Sequence, residues 1–578
     1  MRTWGQSGAA RALRRAKSAS SYARKTGCPI DEADEIVQDL SRRRLLQGMG
    51  AAVAGAVVPS KLLSSPAARD GSPAHGLSGT APKVVIVGSG IAGLGCAYRL
   101  WSRYGIRSTV HEYNTNPGGR IRTLRGYFAD GQTVEEHAEF INPEHVYTLA
   151  LARSFGLGLY DMDRYPPGTH PDAETLRFFG RPWSQKAVNQ DWHDWAWELF
   201  HEAAFVTAPW PALYDNYTEG ALHFDRMSVP EWIDAYIPGG MDSDFGALCV
   251  SAVLDEYGGP SEETSALNLV YLLGTDDSTK NGSQPKGEPV LAGADEKWRI
   301  RGGTDQLISG LIERLPAGTV SLGERLIALR TATHGKGYVC TFDDDGKARD
   351  VPADHVVLAM PFTTLRLVDL SGVSDTISPL HMRAIETEPL GTNSKLFVQC
   401  SSRVWNQPDH TTGNAYCGGV VQGAWDETLH QAGKSGVLVA LPGGILCDDW
   451  GERFGLSTYL GAPPSRMLEE YLDQFNVLFP GVKSAFNGRS YYVWSPGDPH
   501  ILGAYSYLKV GQYTGFNGIQ GRREGNLHFA GEQTSINFQG YVEGGLRSGY
   551  RCAQEIGGSA HPAKVQLDGT SPSSRTYL

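Results

Sequence analysis

The chain has 578 residues, of which 41% are hydrophobic and 20% are charged. These values are typical of a globular protein of about two to four domains, and they exclude a chain that is mostly disordered. The net charge is −11, which argues against a nucleic-acid partner because proteins that bind nucleic acids present a basic surface.

The first 68 residues form a basic segment in front of an acidic body. This segment holds 11 Lys and Arg residues against 5 Asp and Glu residues. Its Ser41–Gln47 stretch, SRRRLLQ, precedes a weakly apolar run, and this order resembles a twin-arginine export signal. We therefore expect residues 1–68 to be a leader that directs export to the periplasm or beyond, with 69–82 as a linker.

The remaining composition predicts neither a membrane anchor nor a metal site. No apolar run reaches the ~20 residues that cross a bilayer, so no membrane span is expected. The eight cysteines form no CxxC pair, which argues against a disulfide framework and against zinc. The polar stretch 558–578 is expected to be a tail.

The predicted elements alternate between strand and helix at both ends of the chain. Runs of β-branched residues predict strands, and apolar residues at helical spacing predict helices. This alternation predicts an α/β fold with a doubly wound parallel sheet. In chain order we predict strand 83–87, helix 91–104, strand 108–111, helices 145–156 and 185–204, a glycine-led helix at 299–315, strands 356–360, 395–400 and 527–530, and helix 542–556.

A glycine-rich turn joins the first predicted strand to the first predicted helix. Its sequence is GSGIAG, in which Gly88 permits a tight turn, Gly90 lets the backbone approach a pyrophosphate, and Gly93 lets helix and strand pack closely. The helix that contains Ala92 points the positive end of its dipole at the phosphates. Glu112 ends the second strand, where it can accept hydrogen bonds from a ribose. These features together predict a dinucleotide site.

Four segments in order along the chain resemble the flavin amine oxidase family. After the glycine turn, HEYNTNPGGRIRT, with Gly118, Gly119 and Arg120, is similar to the family's GG-R loop. RIRGGTDQLISGLIERL is similar to its central glycine pair and helix, and NLHFAGEQTSINFQGYVEGGLRSGYRCAQEI to its C-terminal flavin motif. Because no second GxGxxG follows, the resemblance implies FAD as cofactor, without a separate pyridine nucleotide domain.

The resemblance implies a division of the chain into two interleaved domains. A Rossmann-like FAD-binding domain is expected from the discontinuous segments 83–145, 293–365 and 497–557. A mixed α+β substrate-binding domain is expected from 146–292 and 366–496.

The resemblance also implies which residues hold the cofactor. The GG-R loop is expected to lie along the diphosphate and the flavin, and the backbone of Leu326 to hold the adenine. Glu532, which follows Gly531, is expected to accept hydrogen bonds from the ribityl hydroxyls. The backbone of Tyr541 and Val542, at the start of the last helix, is expected to face N1 and the C2 carbonyl of the flavin, where negative charge develops on reduction.

Three further residues are expected to act on the substrate and on dioxygen. Lys395 stands where family members carry a lysine that bonds through water to flavin N5, and its charge would speed reoxidation by dioxygen. Tyr505 and Tyr541 stand where relatives place two aromatic rings that orient an amine before the flavin. Ala504 stands where some members carry a covalent cysteine, which implies non-covalent FAD.

One departure from the family bears on the substrate. L-Amino-acid oxidases of this superfamily usually carry an arginine that clamps the substrate carboxylate, but this chain has Phe140 at that position. The expected reaction is therefore oxidation of a small-molecule amine that lacks an α-carboxylate, giving an imine or aldehyde and hydrogen peroxide.

The sequence leaves several alternatives open. The first is an L-amino-acid oxidase whose carboxylate clamp lies elsewhere. The others are a flavin desaturase or isomerase that acts on a lipid or pigment, and a flavoprotein kept as a binding partner without turnover. The sequence also leaves open which amine is oxidised and whether the protein is a homodimer.

Overall fold

The structure is a computed structural model, and it describes residues 81–162, 164, 175–274, 296–333, 337–406 and 411–560. The predicted leader, most of the predicted linker and most of the predicted tail lie outside these ranges. Within them, no helix has both the length and the hydropathy that crossing a bilayer requires.

The described ranges contain many short strands and a smaller number of long helices. The strands are β1 (Val84–Val87), β2 (Ser108–Glu112), β3 (Thr123–Leu124), β4 (Val134–Glu135), β5 (Phe140–Ile141), β6 (Leu159–Asp161), β7 (Thr175–Phe178), β8 (Arg181–Trp183), β9 (Trp298–Ile300), β10 (Val320–Leu322), β11 (Glu324–Thr331), β12 (Tyr338–Asp344), β13 (Lys347–Ala353), β14 (His355–Leu358), β15 (Asp369–Gly372), β16 (Lys395–Cys400), β17 (Ala415–Cys417), β18 (Gly423–Asp426), β19 (Gly436–Leu441), β20 (Leu460–Gly461), β21 (Phe486–Val493) and β22 (Leu527–Phe529). The α-helices are α1 (Ile91–Tyr104), α2 (Val146–Ser154), α3 (Gln185–Asp191), α4 (Trp197–Glu202), α5 (Glu219–Asp225), α6 (Val229–Tyr236), α7 (Asp244–Tyr257), α8 (Ala266–Gly274), α9 (Gln306–Glu313), α10 (Phe362–Leu365), α11 (Pro379–Thr387), α12 (Ile445–Asp448), α13 (Trp450–Phe454), α14 (Ser465–Leu478), α15 (Val482–Ala485), α16 (Tyr513–Phe516) and α17 (Val542–Ala560).

A five-stranded parallel sheet confirms the predicted α/β fold. Its strand order is β10-β2-β1-β14-β22, and each neighbouring pair runs parallel. β1 and β14 are short, rich in β-branched residues and buried along their whole length, as is typical of parallel strands covered by helices on both faces. The carboxyl ends of β1, β14 and β22 meet at one edge, and ligands of doubly wound sheets bind there.

Two glycines allow the first and last long helices to pack closely on this sheet. A Cβ atom at Gly549 in α17 would lie 2.1 Å from the carbonyl oxygen of Ala92 in α1. A Cβ atom at Gly95 in α1 would lie 2.8 Å from Leu546 in α17. The close approach brings the N-termini of α1 and α17 to the same edge of the sheet.

A mixed eight-stranded sheet forms the second large layer. The order of its strands is β20-β21-β16-β19-β18-β17-β7-β8. The pair β17–β7 is parallel, and every other neighbouring pair in this sheet is antiparallel. Lys395 is the first residue of β16, where it pairs with Val493 of β21. The predicted strand 395–400 therefore has the bounds that the sequence indicated.

A three-stranded sheet, β5-β9-β6, brings the chain around residue 140 against the chain around residue 299. Phe140 of β5 is the direct partner of Arg299 of β9. The prediction of a helix over 299–315 is therefore wrong at its start. Gly302 and Gly303 adopt φ of +83° and +120°, which a helix cannot continue through, so the helix begins only at Gln306.

The predicted helix 185–204 is longer than expected and is not uniform. It runs from Gln185 to Thr207, and wider π-helical turns occupy Trp192–Ala196 and Ala203–Thr207. Its buried face packs against α8 and α7, and Trp192 and Phe200 stack there with ring centroids 5.9 Å apart.

Candidate active site

A cavity opens at the carboxyl edge of the parallel sheet. It contains about 1260 Å³ of space that protein atoms do not fill, including its open mouth. Most of the residues predicted to hold a dinucleotide line it. These are Gly88, Gly90, Ala92, Glu112, Gly119, Arg120, Leu326, Gly531 and Glu532.

The glycine turn has the geometry that a bound diphosphate requires. Gly88 adopts φ of +104°, and a Cβ atom there would lie 2.5 Å from the carbonyl oxygen of Ala359. A Cβ atom at Gly93 would lie 2.0 Å from the carbonyl oxygen of Gly88. Any larger residue at these positions would close the turn, and Gly90 leaves the N-terminus of α1 open to the cavity. The residues present therefore fit the diphosphate of FAD.

The GG-R loop lies beside the glycine turn. Gly118 donates a backbone hydrogen bond to the carbonyl oxygen of Ser89 at 3.1 Å, and a Cβ atom at Gly119 would lie 3.6 Å from the Cα atom of Gly90. Gly119 lines the cavity, whereas Gly118 itself turns the chain with φ of +115°. The two loops thus form one wall of the dinucleotide cavity.

The far end of the cavity is formed by β2 and β11. Glu112 accepts hydrogen bonds from Ser89 N, Ser89 Oγ and Asn114 N at 2.7–2.8 Å. A carboxylate offers about four acceptor positions, so one is left for a ribose hydroxyl. Leu326 of β11 lies on the same wall. His111, which the sequence did not single out, also lines the cavity and pairs with Glu324.

Glu532 is more fully engaged by the protein than the resemblance implies. Its carboxylate accepts hydrogen bonds from Arg120, from the backbone and hydroxyl of Ser506, and from the backbone of Gly540, at 2.6–2.9 Å. Burial alone would raise its pKa, but the charge of Arg120 and the Ser506 hydrogen bonds lower the pKa of Glu532 to about 2. All four acceptor positions are occupied, so a ribityl hydroxyl would have to displace one of these donors.

Arg120 lines the cavity and also connects two segments of the chain. Its guanidinium donates to the Ala504 carbonyl oxygen at 2.7 Å and pairs with Glu532 at 2.9 Å. It therefore joins the GG-R loop to the segment at which some family members bind flavin covalently. Ala504 is fully buried and offers only a methyl group there.

The two predicted cage tyrosines converge on the end of α7. The Tyr505 hydroxyl donates to the carbonyl oxygen of Asp255, and the Tyr541 hydroxyl donates to Glu256 Oε1 at 3.0 Å. Both rings are buried, and His145 packs edge-on against Tyr541 at 4.8 Å between centroids. Anchoring to consecutive residues of one helix fixes the orientation of both rings. Val542 then begins α17, whose first N–H groups lack helical acceptors.

Lys395 is fully buried and its ammonium group is surrounded by acceptors. It donates to Glu139 Oε2 at 3.0 Å, to the Glu135 carbonyl oxygen at 2.9 Å and to the His137 carbonyl oxygen at 3.3 Å. An ammonium group has three N–H bonds, so every one has an acceptor in this structure. The predicted water-mediated bond to flavin N5 would require one of these contacts to be exchanged.

The position expected to carry a carboxylate clamp is part of the core. Phe140 is 1% exposed and packs edge-on against Trp425, with ring centroids 6.2 Å apart. Arg299, its partner across the β5–β9 pair, is also buried, but its guanidinium binds Glu139 at 2.9 Å and Glu427 at 2.8 Å. This arginine is already neutralised by two carboxylates and offers no free fork to a substrate carboxylate.

Sequence reasoning missed several buried acidic residues around the tyrosines and Lys395. Asp255 is 5% exposed, and its Oδ1 atom has no hydrogen-bond partner. Burial raises the pKa of Asp255 well above its usual range. Little in the sequence indicated that Glu256 is buried, because two adjacent acidic residues at the end of an amphipathic helix usually face solvent.

The described residues contain no group of three or more His, Cys, Asp or Glu side chains that could hold a metal ion. The seven cysteines in these ranges are buried and unpaired.

A family model described as "Flavin containing amine oxidoreductase" matches residues 91–557. Among characterised relatives, a flavin-containing amine oxidase of Danio rerio is 23% identical over 83% of this chain and 86% of its own length. An L-amino acid dehydrogenase of Synechocystis is 23% identical over 82% of this chain and 94% of its own length. A nicotine dehydrogenase of Pseudomonas putida is 24% identical over 82% and 88% of the two chains.

Solved structures share the same fold. Cyclohexylamine oxidase from Brevibacterium oxydans superposes with a TM-score of 0.68, at 20% identity over 83% of this chain and 99% of that one. Putrescine oxidase bound to putrescine superposes with a TM-score of 0.65, at 20% identity over 82% and 98% of the two chains.

Proposed function

Because the chain belongs to the flavin-containing amine oxidoreductase family, and is therefore an FAD-dependent amine oxidase, we propose that its reaction is the oxidative deamination of a small amine with dioxygen as acceptor. The amine becomes an imine, the imine hydrolyses in water to an aldehyde or ketone, and dioxygen is reduced to hydrogen peroxide. When bound, FAD supplies the two-electron chemistry that links the two half-reactions.

The observation that carries this proposal is the anchoring of Tyr505 and Tyr541 to consecutive residues of α7. Their hydroxyls contact Asp255 and Glu256, so both side chains are held at their hydroxyl ends by the same helix. Fixed π faces attract an amine nitrogen and hold its C–H bond in one direction, which lowers the entropic part of the barrier. In this proposal the tyrosines orient the substrate, and Lys395 supplies a buried positive charge that stabilises charge developing on dioxygen.

The surroundings favour an amine without a carboxylate. Phe140 offers no charge, and Arg299 is bound by Glu139 and Glu427. The nearby Asp255 adds a further buried carboxyl group. Among these residues a substrate carboxylate would find no free cation to pair with, and burying an unpaired carboxylate costs free energy.

The second candidate is oxidation of an L-amino acid. One relative is named an L-amino acid dehydrogenase, whereas other relatives are named amine oxidases. The engaged state of Arg299 disfavours this candidate, so the two substrate classes are expected to separate clearly in a direct comparison.

The test is anaerobic mixing of the FAD-loaded protein with a panel of amines and of the corresponding L-amino acids. We expect amines to bleach the flavin absorbance, and air to restore it with one equivalent of peroxide. Bleaching by amino acids but not by their decarboxylated amines would select the second candidate. If no compound of either kind bleaches the flavin, the proposal is wrong.

The role of Lys395 is tested in the oxidative half-reaction. We expect Lys395→Met to slow reoxidation of the reduced protein by about 10²-fold, the scale of losing one preorganised charge or donor, and to change amine-driven reduction much less. Lys434→Met, at an exposed lysine, is the matched control. Equal slowing of both half-reactions would contradict the assigned role.

We also propose that residues 1–68 direct export through the twin-arginine pathway. This segment is basic and carries the RRR triplet at 42–44. The test is a fusion of residues 1–68 to a folded reporter, with Arg42→Lys/Arg43→Lys/Arg44→Lys as control. Export by both fusions alike, or by neither, would refute this proposal.

A homodimer is the assembly that we would test first, by light scattering of the FAD-loaded protein.

A further inference from the structure

Five charged side chains form a cluster that has no contact with solvent. The cluster consists of Lys395, Arg299, Glu135, Glu139 and Glu427, and each is at most 3% exposed. It lies where β5, β9 and β16 meet the end of β18. A buried cluster of this kind costs free energy unless its charges and hydrogen bonds balance closely.

Glu139 is the link between the two cations of the cluster. Its Oε2 atom lies 3.0 Å from Lys395 Nζ, and its Oε1 atom lies 2.9 Å from Arg299 Nη1. The remaining N–H bonds of Lys395 go to carbonyl oxygens, which carry no net charge. Glu139 therefore supplies a carboxylate that is bound directly to Lys395.

Glu427 completes the cluster on the other side of Arg299. It lies 2.8 Å from Arg299 Nη2 and accepts a hydrogen bond from Trp425 Nε1 at 2.9 Å. Trp425 Nε1 also lies 3.4 Å from Glu139 Oε1. The Arg299 guanidinium and the Trp425 indole thus hold the carboxyl groups of Glu139 and Glu427 side by side.

Two carboxylates held side by side repel each other, and a proton shared between them removes this repulsion. The charge count leads to the same result, because three carboxylates face two cations and one added proton makes the cluster neutral. Glu135 shares neither of these donors: its two oxygens accept from Thr304 N and Thr123 Oγ at 2.9 Å and 2.8 Å. The shared proton is therefore assigned to the Glu139–Glu427 pair.

We propose that Glu139 is the positioning residue of Lys395: it holds the ammonium group in one orientation, and the proton that it shares with Glu427 keeps the cluster neutral. This inference rests on the proposed function, in which Lys395 acts on dioxygen. The position of Glu139 directly before Phe140 places it on the segment that in amino-acid-oxidising relatives carries the carboxylate clamp. Here the same segment orients a lysine.

The proposal predicts a pH-dependent process, so the other groups around Lys395 matter. Those that face it from the neighbouring elements are Glu135, His137 and Glu139 of the 134–141 segment, Arg299 of β9, Glu427 after β18, and Asp255 and Glu256 of α7. Among these, only Glu139 both contacts Lys395 and shares a proton.

The first experiment measures the proton without measuring turnover. Infrared spectra of the resting FAD-loaded protein should contain a carbonyl stretch from the carboxyl group that Glu139 and Glu427 share, beside the bands of other buried carboxyl groups such as Asp255. We expect this same band to be missing from the spectra of Glu139→Gln and of Glu427→Gln. Glu388→Gln, which changes another buried carboxyl group outside the cluster, should retain it. Persistence of the same band in both cluster variants would overturn the shared proton.

The second experiment measures the two half-reactions of Glu139→Gln separately. The amide keeps the size of the side chain but removes the charge bound to Lys395. We expect reoxidation by dioxygen to slow by at least about tenfold, the effect of weakening one hydrogen bond to a charged group, while reduction by amine changes by less than about threefold. In the wild type, the rate of reoxidation should change with pH where the shared proton is lost. This change should be absent in Glu139→Gln. Reoxidation at the wild-type rate with an unchanged pH profile would overturn the positioning role.

A double variant separates positioning from a structural effect. If Glu139 acts through Lys395, Lys395→Met/Glu139→Gln should reoxidise no more slowly than Lys395→Met alone. Fully additive losses would show that Glu139 acts by another route and would overturn the inference. Failure of every amine to bleach the flavin would instead refute the proposed function, while the infrared result would still decide whether the proton is shared.

Discussion

Arg299→Met should destabilise the protein strongly, because Arg299 neutralises two buried carboxylates. Its guanidinium lies 2.9 Å from Glu139 and 2.8 Å from Glu427, and it is 3% exposed. Removing one partner of a buried ion pair costs about 3–5 kcal/mol. We take about 4 kcal/mol for this site, because methionine refills most of the volume. For large domains this corresponds to a decrease in Tm of about 8–16 °C.

The assay is the release of FAD fluorescence on heating, which reports on the loaded protein directly. Arg125→Met is the matched control, because Arg125 binds Asp305 at 2.6 Å but is 44% exposed. An exposed pair contributes at most about 1 kcal/mol, so the control should lose about 2 °C. Arg299→Lys keeps the charge without the fork and should fall between the two.

The decrease in Tm caused by Arg299→Met should also depend on pH. Without the arginine, Glu139 and Glu427 avoid unpaired negative charge by taking up protons, which is easier at low pH. The difference in Tm from the wild type should therefore be smaller at pH 5 than at pH 8. A Tm within about 2 °C of the wild type at both pH values would refute the view that this cluster is an energetically coupled unit.

Two further outcomes test the cofactor site and the tyrosine pair. Gly88→Val should abolish FAD binding, seen as loss of the visible absorbance, because its Cβ atom would lie 2.5 Å from the Ala359 carbonyl oxygen and positive φ adds about 1–3 kcal/mol of strain. Tyr541→Phe should leave FAD bound but lower kcat/KM for amines by about tenfold, since Glu256 loses its hydroxyl donor; an unchanged kcat/KM would refute the anchoring argument.

The parts of the site built from local sequence were predictable. The strand, the glycine turn and helix α1 follow each other within Val84–Tyr104, and each requires residue types that stand out in a single sequence. β16 was also predictable, because apolar residues follow Lys395 directly, and a lysine beside such a run is rarely buried unless its charge has a partner. These features depend on neighbours within one turn or strand.

The cluster around Lys395 was not predictable, because its members are far apart in the chain. Glu139 and Lys395 are separated by 256 positions, and Arg299 and Glu427 by 128. Periodicity carries no information about such pairs. The same limit explains Glu532, whose donors Arg120, Ser506 and Gly540 come from three separate segments. Its place in the C-terminal motif indicated a cofactor contact, but only the folded chain shows how many acceptor positions the protein already uses.

The strand order of the parallel sheet has a consequence for the biogenesis of the protein. The first strand, β1, is synthesised early. The outer neighbour of β14 in the sheet is β22, which is synthesised only when the ribosome reaches Leu527–Phe529. Such pairing has a high contact order, so folding must wait for distant parts of the chain to meet. A nascent chain still short of residue 527 has no complete nucleotide cradle, and the cofactor can therefore enter only when synthesis on the ribosome is nearly finished.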